Sequence, residues 1–120
     1  MMNTEVLISI GSNYLPSVNV QWGTERLRLL LTDMKVSRSL WTEDVNHSGS
    51  WYMNRMIKAS TVMTYEELNN WMKAIEREAF RCRHCVTLDL DILLYGTKRY
   101  HEKDWTRPYV QLLLPDVGIM

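Results

Sequence analysis

The stretch TLDLDILLYG, residues 87–96, sets two carboxylates, Asp89 and Asp91, inside an otherwise apolar run. Side chains alternate along an extended strand at about 3.3 Å per residue. The two carboxylates therefore fall on one face, roughly 6–7 Å apart, with Leu88, Leu90, Ile92 and Leu94 on the other. Like charges that close repel, and partial burial adds a desolvation cost, so the pair needs a cation, a shared proton or open water. A hard divalent ion such as Mg²⁺ is commonly held by one or two carboxylates plus substrate phosphates, which suits a pair on a strand better than a closed cage does. The plain alternative is an amphipathic strand with a solvated acidic face.

The rest of the chain narrows the setting. At 120 residues and 46% hydrophobic content it reads as one globular domain over residues 1–120. Its 14 basic and 14 acidic residues cancel, which argues against a basic nucleic-acid surface. No apolar run approaches the roughly 20 residues that span a bilayer, and the N-terminus lacks the pattern of a secretory leader. The expectation is a soluble cytoplasmic protein with no membrane partner. Cys82 and Cys85 in CRHC are too few for a disulfide framework. A zinc site there would need His84 and ligands from as far away as His47 or His101, so two thiols in a short loop is the reading.

The elements that must position the aspartates follow from local pattern. EVLISI, residues 5–10, is β-rich and runs into the turn-forming Gly11-Ser12-Asn13. Val20, Leu27, Leu30, Leu31 and Met34 recur at helical spacing and predict a helix over about 19–33, with Gly23 an unfavourable residue inside it. Residues 35–42 read as a second strand, 43–50 as a polar loop and 52–63 as a third strand. Thr64 and Glu67 form a capping-box pattern opening a helix to about residue 78 or 80, with Leu68, Trp71, Met72 and Ile75 on one stripe. A loop over 81–86 leads to the acidic strand, followed by a tight turn at GTKR and a short returning segment. The order β-α-β-β-α-β predicts an α+β, ferredoxin-like antiparallel sheet covered by helices, with the first and last strands side by side.

In this order, SIGSN after the first strand, YMN opening the third, a glutamate late in the second helix, RCR, TLDLDILLYG and a downstream RPYV resemble 6-hydroxymethyl-7,8-dihydropterin pyrophosphokinase of the folate pathway. The likeness runs from about Val6 to Pro115. It implies transfer of pyrophosphate from ATP to the pterin hydroxymethyl group, giving AMP, with two Mg²⁺ held by Asp89 and Asp91. Thr42, Tyr52 and Asn54 match pterin-pocket residues, and Tyr109 stands where the family has a stacking aromatic. Glu76 matches a glutamate near the nucleotide, and Arg81 and Arg83 match basic residues of a phosphate-facing loop. His101 and Arg107 match a histidine and an arginine that meet ATP phosphates. A cluster of cations around transferring phosphate is what this chemistry chiefly asks of a protein. Outside the resemblance, Arg107 also reads as a surface charge paired with Asp104.

The likeness carries departures. Where the family has glycine-proline-arginine-threonine before the acidic strand, this chain has His84, Cys85, Val86 and Thr87, and valine offers no guanidinium fork. The loop between Glu76 and Asp89 is shorter, and the family's tryptophan over the pterin is replaceable only by Trp41 or Trp51. Glu43 and Asp44 place negative charge where substrate phosphates approach. Family members continue through a further segment past the position of Met120. These departures make a catalytically weak or inactive relative, binding a pterin or nucleotide, the second expectation. Oligomeric state is left open.

Overall fold

The run after Asn3 becomes the centre of the sheet, because its residues are apolar on both faces. In β1 (Thr4–Ser12), Val6, Ile8 and Ile10 enter one buried cluster while Leu7 enters another. The computed structural model describes residues 3–43, 51–79 and 84–119. Along the chain follow α1 (Pro16–Arg28), β2 (Thr32–Val36), β3 (Leu40–Glu43), β4 (Trp51–Thr61), α2 (Tyr65–Glu78), β5 (Asp89–Tyr95), β6 (Lys98–Arg99), α3 (Glu102–Trp105), α4 (Pro108–Leu113) and a 3₁₀ turn (Leu114–Val117). The sheet order is β2-β4-β1-β5-β6, with β3 also on β4, and every pairing is antiparallel. This is the expected α+β, ferredoxin-like arrangement, with β1 and β5 adjacent as anticipated.

Helices α1 and α2 cover one face through Val20, Leu27, Leu68, Met72 and Ile75. The start of α2 follows its sequence signature: Glu67 N–H donates to Thr64 Oγ1 at 3.2 Å and Thr64 N–H to Glu67 Oε1 at 2.9 Å. Trp71 is 52% exposed and flanks the buried stripe instead of joining it. Gly23 is explained by close packing. A Cβ there would stand 2.7 Å from Ile10 Cδ1 and 3.0 Å from Leu88 Cδ1, so glycine lets α1 sit this close to β1 and the start of β5 without displacing those buried methyls.

Two element boundaries differ from the sequence reading. The first helix starts earlier, at Pro16, a residue pre-set for the first helical turn, and ends at Arg28; Leu31 then packs as a connection and Met34 lies in β2. The single strand expected over 35–42 is two strands. Ser37 interrupts it, its backbone N–H donating to Met56 O at 2.9 Å and its Oγ accepting from Met56 N–H at 2.8 Å. The buried hydroxyl takes over a ladder bond, and the chain resumes on β4 at Leu40.

The second face of the sheet is covered by α3, α4 and the 3₁₀ turn, none of which the periodicity anticipated. Trp105, Val110, Leu113, Leu114 and Val117 bury Leu7, Met56 and Leu93. Leu93 reaches that face through a β-bulge: Leu7 pairs with Leu94 but Ile8 pairs with Ile92, leaving Leu93 as an extra residue. The bulge corrects the simple alternation, since Leu94 packs with Leu93 and not with Leu88, Leu90 and Ile92. Among the described residues, no helix is long and apolar enough to cross a membrane.

Candidate active site

The register places Asn54, Gly11 and Asp89 in one row across three neighbouring strands, and Met56, Ser9 and Asp91 in the next row of the same face. Met56 is already under the C-terminal helices. The row of Gly11 is uncovered, and with no side chain at its centre a hollow remains between Asn54 and Asp89. A Cβ on Gly11 would stand 2.9 Å from Asn54 Oδ1. The resulting cleft, about 300 Å³, is lined by Thr42, Tyr52, Asn54, Asp89, Asp91, Arg107 and Tyr109, all singled out from sequence, together with Ser9, Gly11, Glu43 and Asp104.

Each wall has a local cause. The β3–β4 ladder sets Thr42 opposite Tyr52, and Asn54 Nδ2 donates to Thr42 Oγ1 at 2.6 Å, fixing a buried amide at the cleft's edge. Trp41 and Trp51, the candidate replacements for the family's tryptophan, do not line the cleft and are 55% and 56% exposed. The C-terminal wall is held by Trp105, whose Nε1–H donates to Tyr100 O at 3.1 Å, and by Arg107, whose Nε donates to Asp104 Oδ1 at 2.7 Å. Arg107 is thus the charge partner of Asp104 that the sequence suggested, and the pair lines the cleft. His101 Nε2 lies 3.6 Å from Asp91 Oδ1, held there by a left-handed backbone (φ 54°) at the start of α3. Protonated, it forms an ion pair with the aspartate.

Ser12 and Asn13 of the SIGSN turn fasten the segment that leads into β5. Asn13 N–H donates to Val86 O at 2.9 Å, and Asn13 Oδ1 accepts from Val86 N–H at 2.6 Å. Glu76 is on α2 outside the cleft, where its Oε2 accepts the Leu90 N–H at 2.7 Å. That bond satisfies β5 on its open side, since β6 reaches only Leu94 and Tyr95. Lys73, which sequence reasoning passed over, pairs with Glu76 Oε1 at 3.1 Å. Its three-residue spacing from Glu76 on a helix was the available signal. Asp104 and Ser9 were likewise not picked out as site residues. Arg81 and Arg83 lie outside the described residues, as do Cys82 and the 44–50 loop. Cys85 is disulfide-bonded and not the free thiol expected.

The electrostatics are those of two neighbouring carboxylates that burial and nearby negative charge hold above their ordinary range. Desolvation pushes the Asp89 carboxyl above its ordinary value, the Asp91 charge adds to this, and Lys73 opposes it. Asp91 is also raised, by desolvation first, against the pull of His101 and Lys73 and with Glu76 and Asp104 reinforcing the shift. Burial and the Asp104 charge hold the Tyr109 phenol protonated beyond its usual range. Two carboxylates of raised pKa on one strand face fit a Mg²⁺ donor set of the kind completed by phosphate oxygens. Among the described residues there is no cluster of three or more acidic, histidine or cysteine side chains placed to hold a metal ion.

No curated protein matches the sequence. The family model described as 7,8-dihydro-6-hydroxymethylpterin-pyrophosphokinase matches residues 7–119, almost the whole chain and including every strand of the cleft. The chain therefore belongs to the 7,8-dihydro-6-hydroxymethylpterin-pyrophosphokinase family.

Proposed function

We propose that the protein transfers pyrophosphate from ATP to the hydroxymethyl group of 6-hydroxymethyl-7,8-dihydropterin, releasing AMP, as a step of folate biosynthesis. The observation that carries this reading is the single cleft uniting Asp89 and Asp91 with Thr42, Tyr52, Asn54, Arg107 and Tyr109. Asn54 has an amide with both donors and an acceptor for a pterin edge, and Tyr109 supplies a ring and a neutral hydroxyl. Thr42 orients the Asn54 amide, and Tyr52 borders it.

Asp89 and Asp91 are the side chains that would hold two Mg²⁺, which when bound offset phosphate charge. Arg107 lines the cleft and His101 stands beside Asp91, the two side chains assigned to the phosphates, and Glu76 fixes the strand between the aspartates. Arg81 and Arg83 are assigned to the phosphate-facing loop on the resemblance alone. With no protein nucleophile singled out, the substrate hydroxyl attacks the β-phosphorus directly, and the bond to the α-phosphate oxygen breaks to free AMP. Positioning and charge neutralisation are the protein's contribution.

The second reading is a relative that binds these ligands without transfer. It is supported by Val86 in place of an arginine and by a cleft lined with Glu43, Asp89, Asp91 and Asp104 against the one arginine, Arg107. The deciding assay is Mg²⁺-dependent AMP release from ATP and the pterin, with Asp91→Ala as the blank. AMP above that blank establishes transfer; tight binding of both ligands without AMP establishes the binding protein.

A further inference from the structure

A second cavity of about 470 Å³ lies between the C-terminal half of α2 and the segment leading into β5. Lys73, Glu76, Arg77, Val86, Thr87 and Leu88 are in its wall. Leu88 lines this cavity and Asp89, the next residue, lines the acidic cleft on the other face of the sheet, so the start of β5 borders both. Lys73 lines this second cavity, and its charge reaches both aspartates of the cleft. Its ammonium is 3.1 Å from Glu76 Oε1, and its side chain remains 42% exposed and so reachable by a ligand. Arg77 shares the cavity, but the α2 cation that acts on both Asp89 and Asp91 is Lys73.

We infer that Lys73 grips phosphate: a polyphosphate chain running between the two cavities would pass its ammonium next to the Asp89–Asp91 pair. The stem is flexible and the ammonium carries three donors, so it can keep one bond to Glu76 while another turns to a phosphate oxygen. Val86 shares that wall and carries no charge, so position 86 adds no cation beside Lys73. The inference rests on the proposed use of ATP and deepens it by assigning this chain's own phosphate contact.

The test compares wild type, Lys73→Met, Lys73→Arg and the double variant Lys73→Met with Val86→Arg. AMP release is measured as ATP is varied, and calorimetric titration with ATP and Mg²⁺ is run in parallel. Lys73→Met is expected to lower kcat/KM for ATP by roughly 10- to 100-fold while leaving the KM for the pterin unchanged. Lys73→Arg should restore most of the loss. The double variant should recover part of it, because position 86 lies in the same wall with its backbone clamped by Asn13. Unchanged kcat/KM for ATP in Lys73→Met overturns the inference. If wild type binds ATP but releases no AMP, the proposed transfer fails, and the titration judges Lys73 alone: weaker binding in Lys73→Met supports it and equal binding overturns it. Absence of ATP binding by wild type overturns both. Should circular dichroism show Lys73→Met unfolded, Lys73→Gln is measured the same way.

Discussion

Asn54 Oδ1 sits 2.9 Å from the point where a Cβ on Gly11 would stand, so the buried amide and the glycine are fitted to each other across β1 and β4. Gly11→Ala is expected to push the amide off its 2.6 Å bond to Thr42. The cost should be about 1–2 kcal/mol of stability from overpacking, and the KM for the pterin should rise roughly 3- to 10-fold, one hydrogen bond's worth. Urea unfolding and initial-rate kinetics measure the two effects. An unchanged KM would remove Asn54 from the pterin contacts.

The acidic pair destabilises the protein that carries it. A carboxyl whose folded pKa is raised above its unfolded value holds its proton more tightly when folded. The penalty is therefore absent below the unfolded pKa, grows as pH rises through the folded one, and is complete above it. Asp89→Asn should thus be more stable than wild type at pH 7 without Mg²⁺, and the difference should vanish toward pH 3. Asp89 is crowded by protein on one side, which desolvates its carboxyl, but keeps an open side to water, so solvent screens part of the repulsion and the gain should stay below about 1 kcal/mol. This corresponds to a rise in Tm of no more than about 4 °C. Melting curves from pH 3 to 8 would show it, and a less stable Asp89→Asn at pH 7 would contradict it.

Glu76 has a structural task separable from its charge. Glu76→Leu leaves the Leu90 N–H without its 2.7 Å acceptor and should cost about 1–3 kcal/mol. Glu76→Gln keeps an acceptor oxygen and should cost less, losing mainly the Lys73 ion pair. Amide exchange at Leu90 is the direct readout: fast in the leucine variant, near wild type in the glutamine one.

Tyr109 should act through its ring. Its phenol is held neutral by burial and by Asp104, so the pH profile of pterin binding between pH 6 and 9 should be the same for wild type and Tyr109→Phe. Tyr109→Ala should lose about 1–3 kcal/mol of pterin binding, the usual worth of a stacking ring. A loss as large in Tyr109→Phe would instead make the hydroxyl the important group.

The sequence by itself determined the order of the two long helices and of the strands they separate, the capped second helix and the facing of Asp89 with Asp91, because each depends on spacing within one segment. Alternation along a strand, a three-residue capping pattern and a glycine-serine-asparagine turn are all local. Only the tertiary structure decided what meets them. The bulge that turns Leu93 to the second face depends on how β5 pairs with β1, and the break at Ser37 depends on a bond to Met56 on another strand. Helices α3 and α4, of four and six residues, are too short to display a helical period, yet they cover that face and bring Asp104, Arg107 and Tyr109 to the cleft. Gly23 looked like a helix weakness until Ile10 and Leu88 were seen against it. Lys73 was legible as a partner of Glu76, three residues on; its nearness to Asp89 and Asp91 is a consequence of packing α2 against β5, which no local pattern encodes.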